Sequence, residues 1–241
     1  MKEYPSIPTL PTQGSSSFAH WKKRNHNMSE IYAFDKIDGS NVKAGWSSKE
    51  GFYKFGSRTS LLTSLLESCQ STTDLTQENC LTSYLKSDQL VLDKAEILIK
   101  TQENIIGSIC LKNKWDNIIL FYEFANSKSF LGNHNDDDPY NVYLIDVYLV
   151  DVKRILPPKD FVEIFSEEVN CAALLHKGNC NSDFVQSVQN GTLPDMGSEG
   201  VVCKAKGKGN QIIMFKIKRD DWYSKLKQHC GDNWKLFNAL K

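Results

Sequence analysis

Strand-type segments lie on both flanks of a helical middle, and that order constrains the fold of this chain more than any other feature. IYAFDKIDGSNVKAGW, from Ile31 to Trp46, reads as a strand, a glycine-centred loop and a second strand. GFYKFGSR, ending at Arg58, is a further aromatic-rich strand. Between Leu61 and about Ile109 the pattern changes. LLTSLLESC and DQLVLDKAEILIK carry apolar residues at i, i+3 and i+4, the spacing of a helix face. NIILFYEFA and NVYLIDVYLVDV then return to strand patterning, and SEGVVCKAKG and NQIIMFKIKR read as a β-pair around a Gly/Lys/Asn turn. PPKDFVEIF opens a helix with proline in its first turn, and the residues after Arg219 suit one or two short amphipathic helices. This is the order of an α+β domain built on antiparallel sheets, not the regular strand–helix alternation of a Rossmann fold. One domain is expected over residues 1–241, with residues 1–17, rich in Pro, Ser and Thr, as an extended arm and no separate C-terminal domain.

Charge narrows the function. Lys plus Arg and Asp plus Glu number 29 each, so the chain is not a non-specific carpet for nucleic acid. A local basic groove stays compatible with that balance. Seven cysteines without a C-x-x-C or a zinc spacing suit a reducing compartment. MKEYPSIPTLPTQGSSS has no apolar core of a leader peptide, and the apolar run near Val142 to Val150 is short and broken by Asp146. The expectation is a cytoplasmic protein, or a viral one acting in a host cytoplasm, with no membrane partner.

Asp35-Lys36-Ile37-Asp38-Gly39-Ser40-Asn41 sets a lysine at a strand end beside acidic residues and a glycine. Such a lysine becomes a nucleophile when burial or neighbouring cations depress its pKa, and is otherwise a solvated turn residue. Gly39 is expected to let the backbone turn sharply. Lys216 and Lys218 alternate on one strand face with Ile217 in the core, where two ammonium groups can clamp a phosphate.

Taken in order, these segments resemble the motifs of the covalent nucleotidyltransferase superfamily, and most of all the ATP-dependent RNA ligase 2 family. The resemblance runs from about Tyr4 to Tyr223, and YPSIPTL resembles that family's opening. Lys36 to Asn41 fit its Lys-x-(His/Asp)-Gly-x-Asn nucleophile motif, with Asn41 favouring the RNA-ligase branch. The resemblance implies an antiparallel-sheet nucleotidyltransferase domain, ATP-grasp-like, of the kind that adenylates ligases. It implies Lys36 as the AMP-lysine nucleophile and assigns Asp35, Ile37 and Asn41 to the nucleotide with it. Arg58 would contact the nucleotide or the incoming 5′-phosphate, Glu123 a ribose hydroxyl, and Lys216 and Lys218 the α-phosphate while lowering the Lys36 pKa. Glu199 would hold the catalytic Mg²⁺ or Mn²⁺. Where the family carries an aromatic over the base, this chain has Ile145, so an aliphatic sandwich between Ile145 and Val202 is expected, with Tyr143 on the same strand face as a further candidate.

The implied activity is ATP-dependent sealing of an RNA 5′-phosphate to a 3′-hydroxyl, as in RNA repair, through a lysyl-AMP intermediate. A partner protein could supply the role of the family's C-terminal domain. A minimal DNA ligase, a capping-type guanylyltransferase and a non-catalytic nucleic-acid-binding relative stay as alternatives. Asp136-Asp137-Asp138 reads as a solvated loop. Trp21-Lys22-Lys23-Arg24 could touch phosphates, a solvated surface being the plainer reading.

Overall fold

The computed structural model describes residues 1–11, 14–24, 30–57, 90–125, 139–209 and 211–233. Strands β1 (Ile31–Asp35), β7 (Leu174–Gly178), β8 (Gly200–Lys206) and β9 (Ile212–Lys218) form one sheet in the order β7-β1-β8-β9. Strands β2 (Ser40–Ser47), β3 (Gly51–Ser57), β4 (Asn117–Ala125), β5 (Asn141–Leu149) and β6 (Arg154–Ile155) form the other, in the order β3-β2-β4-β5-β6. Both sheets are antiparallel throughout. The α+β expectation therefore holds. Helices α1 (Ser16–Arg24), α2 (90–100), α3 (Glu103–Asn113), α4 (Pro158–Phe165), α5 (Ser182–Gln189) and α6 (Asp220–Cys230) accompany them.

Alternation decides which helices cover which face. Ile118, Leu120, Tyr122 and Phe124 of β4 share one face and are fully buried. They belong to the larger core with Ile106, Ile109 and Cys110 of α3 and Phe161 and Phe165 of α4. In β1, Tyr32 and Phe34 join that core, whereas Ile31 and Ala33 face the smaller one, with Phe184, Val185 and Val188 of α5. A strand buried on both sides reads as a continuous apolar run, as IYAF does.

Two further features have no signal in the sequence pattern. β1 and β2, which read as neighbours around one loop, belong to different sheets, so residues 36–39 form the corner between them. β7 carries no clear alternation; α5 does have apolar residues at i, i+1 and i+4 (Phe184, Val185 and Val188), and Asn181 caps it, its Oδ1 accepting from the Phe184 amide at 2.9 Å.

The N-terminal arm is extended but not loose. Leu10 N donates to Lys216 O at 2.8 Å and Lys216 N to Pro8 O at 2.9 Å, so the arm adds a short parallel pairing to the edge of β9. Farther back, the Tyr4 ring packs 4.9 Å from Phe121, and its hydroxyl donates to Asp146 of β5. The arm thus touches both sheets. Its expected end is corrected: Ser16 and Ser17 already belong to α1, where Ser15 Oγ accepts from the Phe18 amide at 3.0 Å. Arg58, Leu61 to the start of α2, and Asp136 to Asp138 lie outside the described residues.

Candidate active site

Where β1 runs out, the chain is fastened on both sides. Asp35 N donates to Ala173 O at 2.8 Å and Lys36 N to Gly200 O at 3.0 Å. Asp35 Oδ1 accepts from Gly197 N at 2.8 Å, which ties the strand end to the turn before β8. The Asp35 carboxylate is thus engaged in holding the loop that carries Glu199. Gly39 is needed for closeness, since a Cβ there would lie 2.4 Å from the Phe124 carbonyl oxygen. The chain bends at Gly39 as expected, and what bars a side chain there is the backbone of β4 pressed against the corner. Gly200, at φ +127°, is a position of both kinds, with its missing Cβ 2.2 Å from Ile217 O.

These fastenings bring Lys36, Glu199 and Lys218 together. Lys36 Nζ lies 2.7 Å from Glu199 Oε2, and Lys218 Nζ lies 2.8 Å from Glu199 Oε1. One carboxylate thus bridges two ammonium groups. The Lys218 side chain is 2% exposed and that of Lys36 22%, so only the second opens to a ligand. Lys218 Nζ also sits 3.3 Å from the centre of the Trp222 ring at the start of α6, a cation–π contact nothing in the sequence announces. Glu123 stands opposite Asn41 in the β2–β4 register. Asn41 Nδ2 donates to Tyr122 O at 3.4 Å, while its buried Oδ1 has no hydrogen-bond partner among the described residues.

The opposite wall belongs to β5, β8 and β9. Val202 pairs in register with Lys216, and Ile217 is buried in the smaller core, as alternation requires. Lys204, two residues beyond Val202 and so on the same face, forms a buried ion pair of 2.9 Å with Asp146 and donates to the Ile145 carbonyl. A β-bulge corrects the reading of this strand. Tyr143 opposes Glu123 and Asp146 opposes Phe121, so Tyr143 and Asp146 share a face although three residues apart. The extra residue is Ile145, which has no Cα partner on β4. Ile145 and Ile37 are half-buried against the larger core.

No protein-family model and no curated protein matches the sequence, but solved structures do match its fold. An archaeal ATP-dependent RNA ligase superposes with a TM-score of 0.55 at 11% identity, over 95% of this chain and 52% of that one. A mutant RNA ligase of Naegleria gruberi with AMP and Mn gives 0.53 at 12% identity, over 93% and 58%. The same enzyme with PPi gives 0.52 at 14%, over 94% and 61%. The chain has the fold of the ATP-dependent RNA ligases. It spans 52% to 61% of the length of these RNA-ligase chains.

Within this RNA-ligase fold the charges around Lys36 run against one expectation. Burial works to depress its pKa and is the largest single influence, but Glu199, Glu123 and Asp38 together hold it above the ordinary lysine value. The expected lowering falls instead on Lys218, brought down to about 8 by burial and by the charges of Lys36 and Lys216 against the pull of Glu199. Burial pushes Glu123 up to about 7, with Glu199 raising it further and Lys36 and the Asn41 hydrogen bond opposing. Glu199 stays below the usual range because its two lysine partners outweigh its burial.

Among the described residues no group of three or more His, Cys, Asp or Glu side chains could enclose a metal ion. The donors that are present suit a hard cation sharing its shell with waters and phosphate oxygens, since Mg²⁺ asks for only one or two carboxylates in such sites. Glu199 fits that description. No described helix is long and apolar enough to cross a membrane.

Proposed function

We propose that the chain is an ATP-dependent RNA ligase that carries AMP on Lys36. The observation that supports this reading most is the Lys36–Glu199–Lys218 constellation at the corner between two sheets. It joins a partly accessible amine, a metal-competent carboxylate and a buried cation within one hydrogen-bonded group.

In this reading Lys36 Nζ attacks the α-phosphorus of ATP. The bond to pyrophosphate breaks, the amine's proton passes to solvent water, and a lysyl-Nζ–AMP remains. The proton on Nζ is held there by Glu199. Without that carboxylate's contact, burial favours the neutral amine against the remaining pull of Glu123 and Asp38. Glu199 would hold a divalent cation, Mg²⁺ or Mn²⁺, which would supply neutralisation of charge on the triphosphate. Lys216, the more exposed of the two on this strand face, would meet the α-phosphate, and the buried Lys218 would stabilise the charge building there through its field, without contact. Glu123 and the unpaired Asn41 Oδ1 are acceptors placed for ribose hydroxyls. Ile145 and Val202 supply the apolar contact to the base, and Asp35 and Ile37 support the nucleophile loop. An RNA 5′-phosphate then takes AMP from Lys36, and a 3′-hydroxyl displaces AMP to leave the phosphodiester. Positioning and electrostatics supply most of the acceleration in such transfers.

Labelling the protein with α-labelled ATP and, separately, α-labelled GTP tests the nucleotide, and sealing of nicked RNA against nicked DNA tests the polynucleotide. ATP labelling with RNA sealing supports the proposal. GTP labelling, or sealing of DNA alone, replaces it with the capping-type or DNA-ligase alternative.

A further inference from the structure

Lys218 and Lys216 occupy the C-terminal half of β9. The other end of that strand, with the arm, α1 and the β5–β6 turn, walls a groove of about 630 Å³. Among the described residues its charged lining is Lys153 and Arg154, with His20 beside them and no Asp or Glu. In a chain whose cationic and acidic residues both number 29, a wall without a carboxylate is a local excess of positive charge. Asp151 belongs to the same turn and is exposed, but it does not line the groove. Lys153 is exposed in the left-handed region at φ 53°, in a turn closed by its own amide on Val150 O at 3.2 Å.

Aromatic surface accompanies the charge. Trp21 and Tyr148 line the groove. Trp21 is held in place, stacked 6.0 Å from Phe18 and edge-on at 5.0 Å to Phe215. Cations that meet phosphates, together with aromatic rings that accept bases without regard to sequence, form the combination that single-stranded nucleic acid uses. An apolar peptide would leave the cations without a purpose.

We propose that this groove binds the sugar–phosphate backbone of a polyribonucleotide strand, several nucleotides away from the end engaged at Lys36. The identity of that end rests on the ligase reading; the groove's affinity for the strand does not. From Met214 or Ile212 to Lys218 is roughly 13–20 Å along β9 at the rise of a strand.

The test uses the full chain, wild type and the double variant Lys153→Asn with His20→Ala; asparagine tolerates the left-handed backbone at position 153. Fluorescence anisotropy follows binding of 5′-phosphorylated oligouridylates of about twelve and about three nucleotides across a salt series. The double variant is expected to weaken the longer strand about five- to tenfold and to flatten its salt dependence by roughly 0.7 for each phosphate no longer neutralised. Binding of the shorter strand, the melting temperature and labelling by ATP are expected to stay as in wild type. Unchanged affinity and slope for the longer strand would overturn the proposal, as would equal weakening of both lengths, which would put the interaction at the catalytic end. Equal binding of polyglutamate, with the same sensitivity to the variant, would overturn it too. Failure of wild type to label with ATP would remove the ligase reading and leave the groove's result standing.

Discussion

Glu199 holds two ammonium groups at once, and in the proposed reaction its hold on Lys36 would set whether that amine can react. Glu199→Gln removes the charge that contributes most to raising the Lys36 pKa, leaving burial, the largest influence, to lower it against Glu123 and Asp38. Labelling of Lys36 by an amine-acylating reagent at about pH 8, followed by mass spectrometry, should therefore rise several-fold in the variant, since each unit of pKa is tenfold in the neutral fraction. Unchanged or weaker labelling would mean that Glu199 does not control the proton. Glu123 offers a prediction of opposite character. Its folded pKa of about 7 lies above the ordinary value of 4.5, so the folded state carries a cost where both states are ionised. Stability from this group is present at low pH and is lost as pH rises through about 7. Glu123→Gln should then stabilise the protein at pH 8 by up to about 3 kcal/mol, with the gain vanishing near pH 4.5 and below. Calorimetry at the two pH values reads this directly, and a gain independent of pH would refute it.

At the scale of elements, what a sequence shows is what periodicity can encode. The β8–β9 pair, the buried β1 and the helix after Pro157 are legible because alternation, a helical stripe or a proline marks each of them. The bulge at Ile145 is not, since one extra residue leaves the hydrophobic pattern of VYLIDV intact while turning a side chain out of line. The arm is legible as extended but not as anchored, because its partners are the backbone of β9 and an aspartate 142 residues away. Lys204 is within reach of sequence reasoning: its spacing of two from Val202 already puts it on the site face. The arm's anchoring makes a specific forecast. Tyr4→Phe keeps the packing on Phe121 and deletes one donor to a buried carboxylate, so it should cost about 1–3 kcal/mol, the range for hydrogen bonds to charged groups. Urea unfolding measures the loss; a neutral substitution would show that the arm is held by backbone pairing alone.

Among the described residues, backbone and side-chain bonds join the two sheets, and the candidate site lies beside one of these joints. Residues 170–173 link β5 to β1, with Leu144 N donating to Asn170 O at 2.8 Å and Asp35 N to Ala173 O at 2.8 Å. The Lys204–Asp146 pair spans the same gap through side chains, with Lys204 Nζ also 4.7 Å from the Phe34 ring centre. Lys204→Met would strand the buried Asp146 carboxylate with Tyr4 as its remaining donor, and the expected loss is about 3–5 kcal/mol. The double variant Lys204→Met with Asp146→Leu should recover at least half of it, because removing both charges removes the stranded one. Additive losses in the urea series would mean that the pair does not act as a unit. The pairing of Lys36 with Glu199 across 163 residues is likewise a property of this whole-molecule joint, and no local pattern could carry it. The central claim is that this joint makes Lys36 a nucleophile toward ATP. Incubation with α-labelled ATP and a divalent cation, then peptide mapping of the intact adduct by mass spectrometry, should place a single AMP on Lys36 and find none in a folded Lys36→Arg variant, whose guanidinium stays protonated. An adduct on another residue, or a folded wild-type protein that takes up no AMP, would contradict the account.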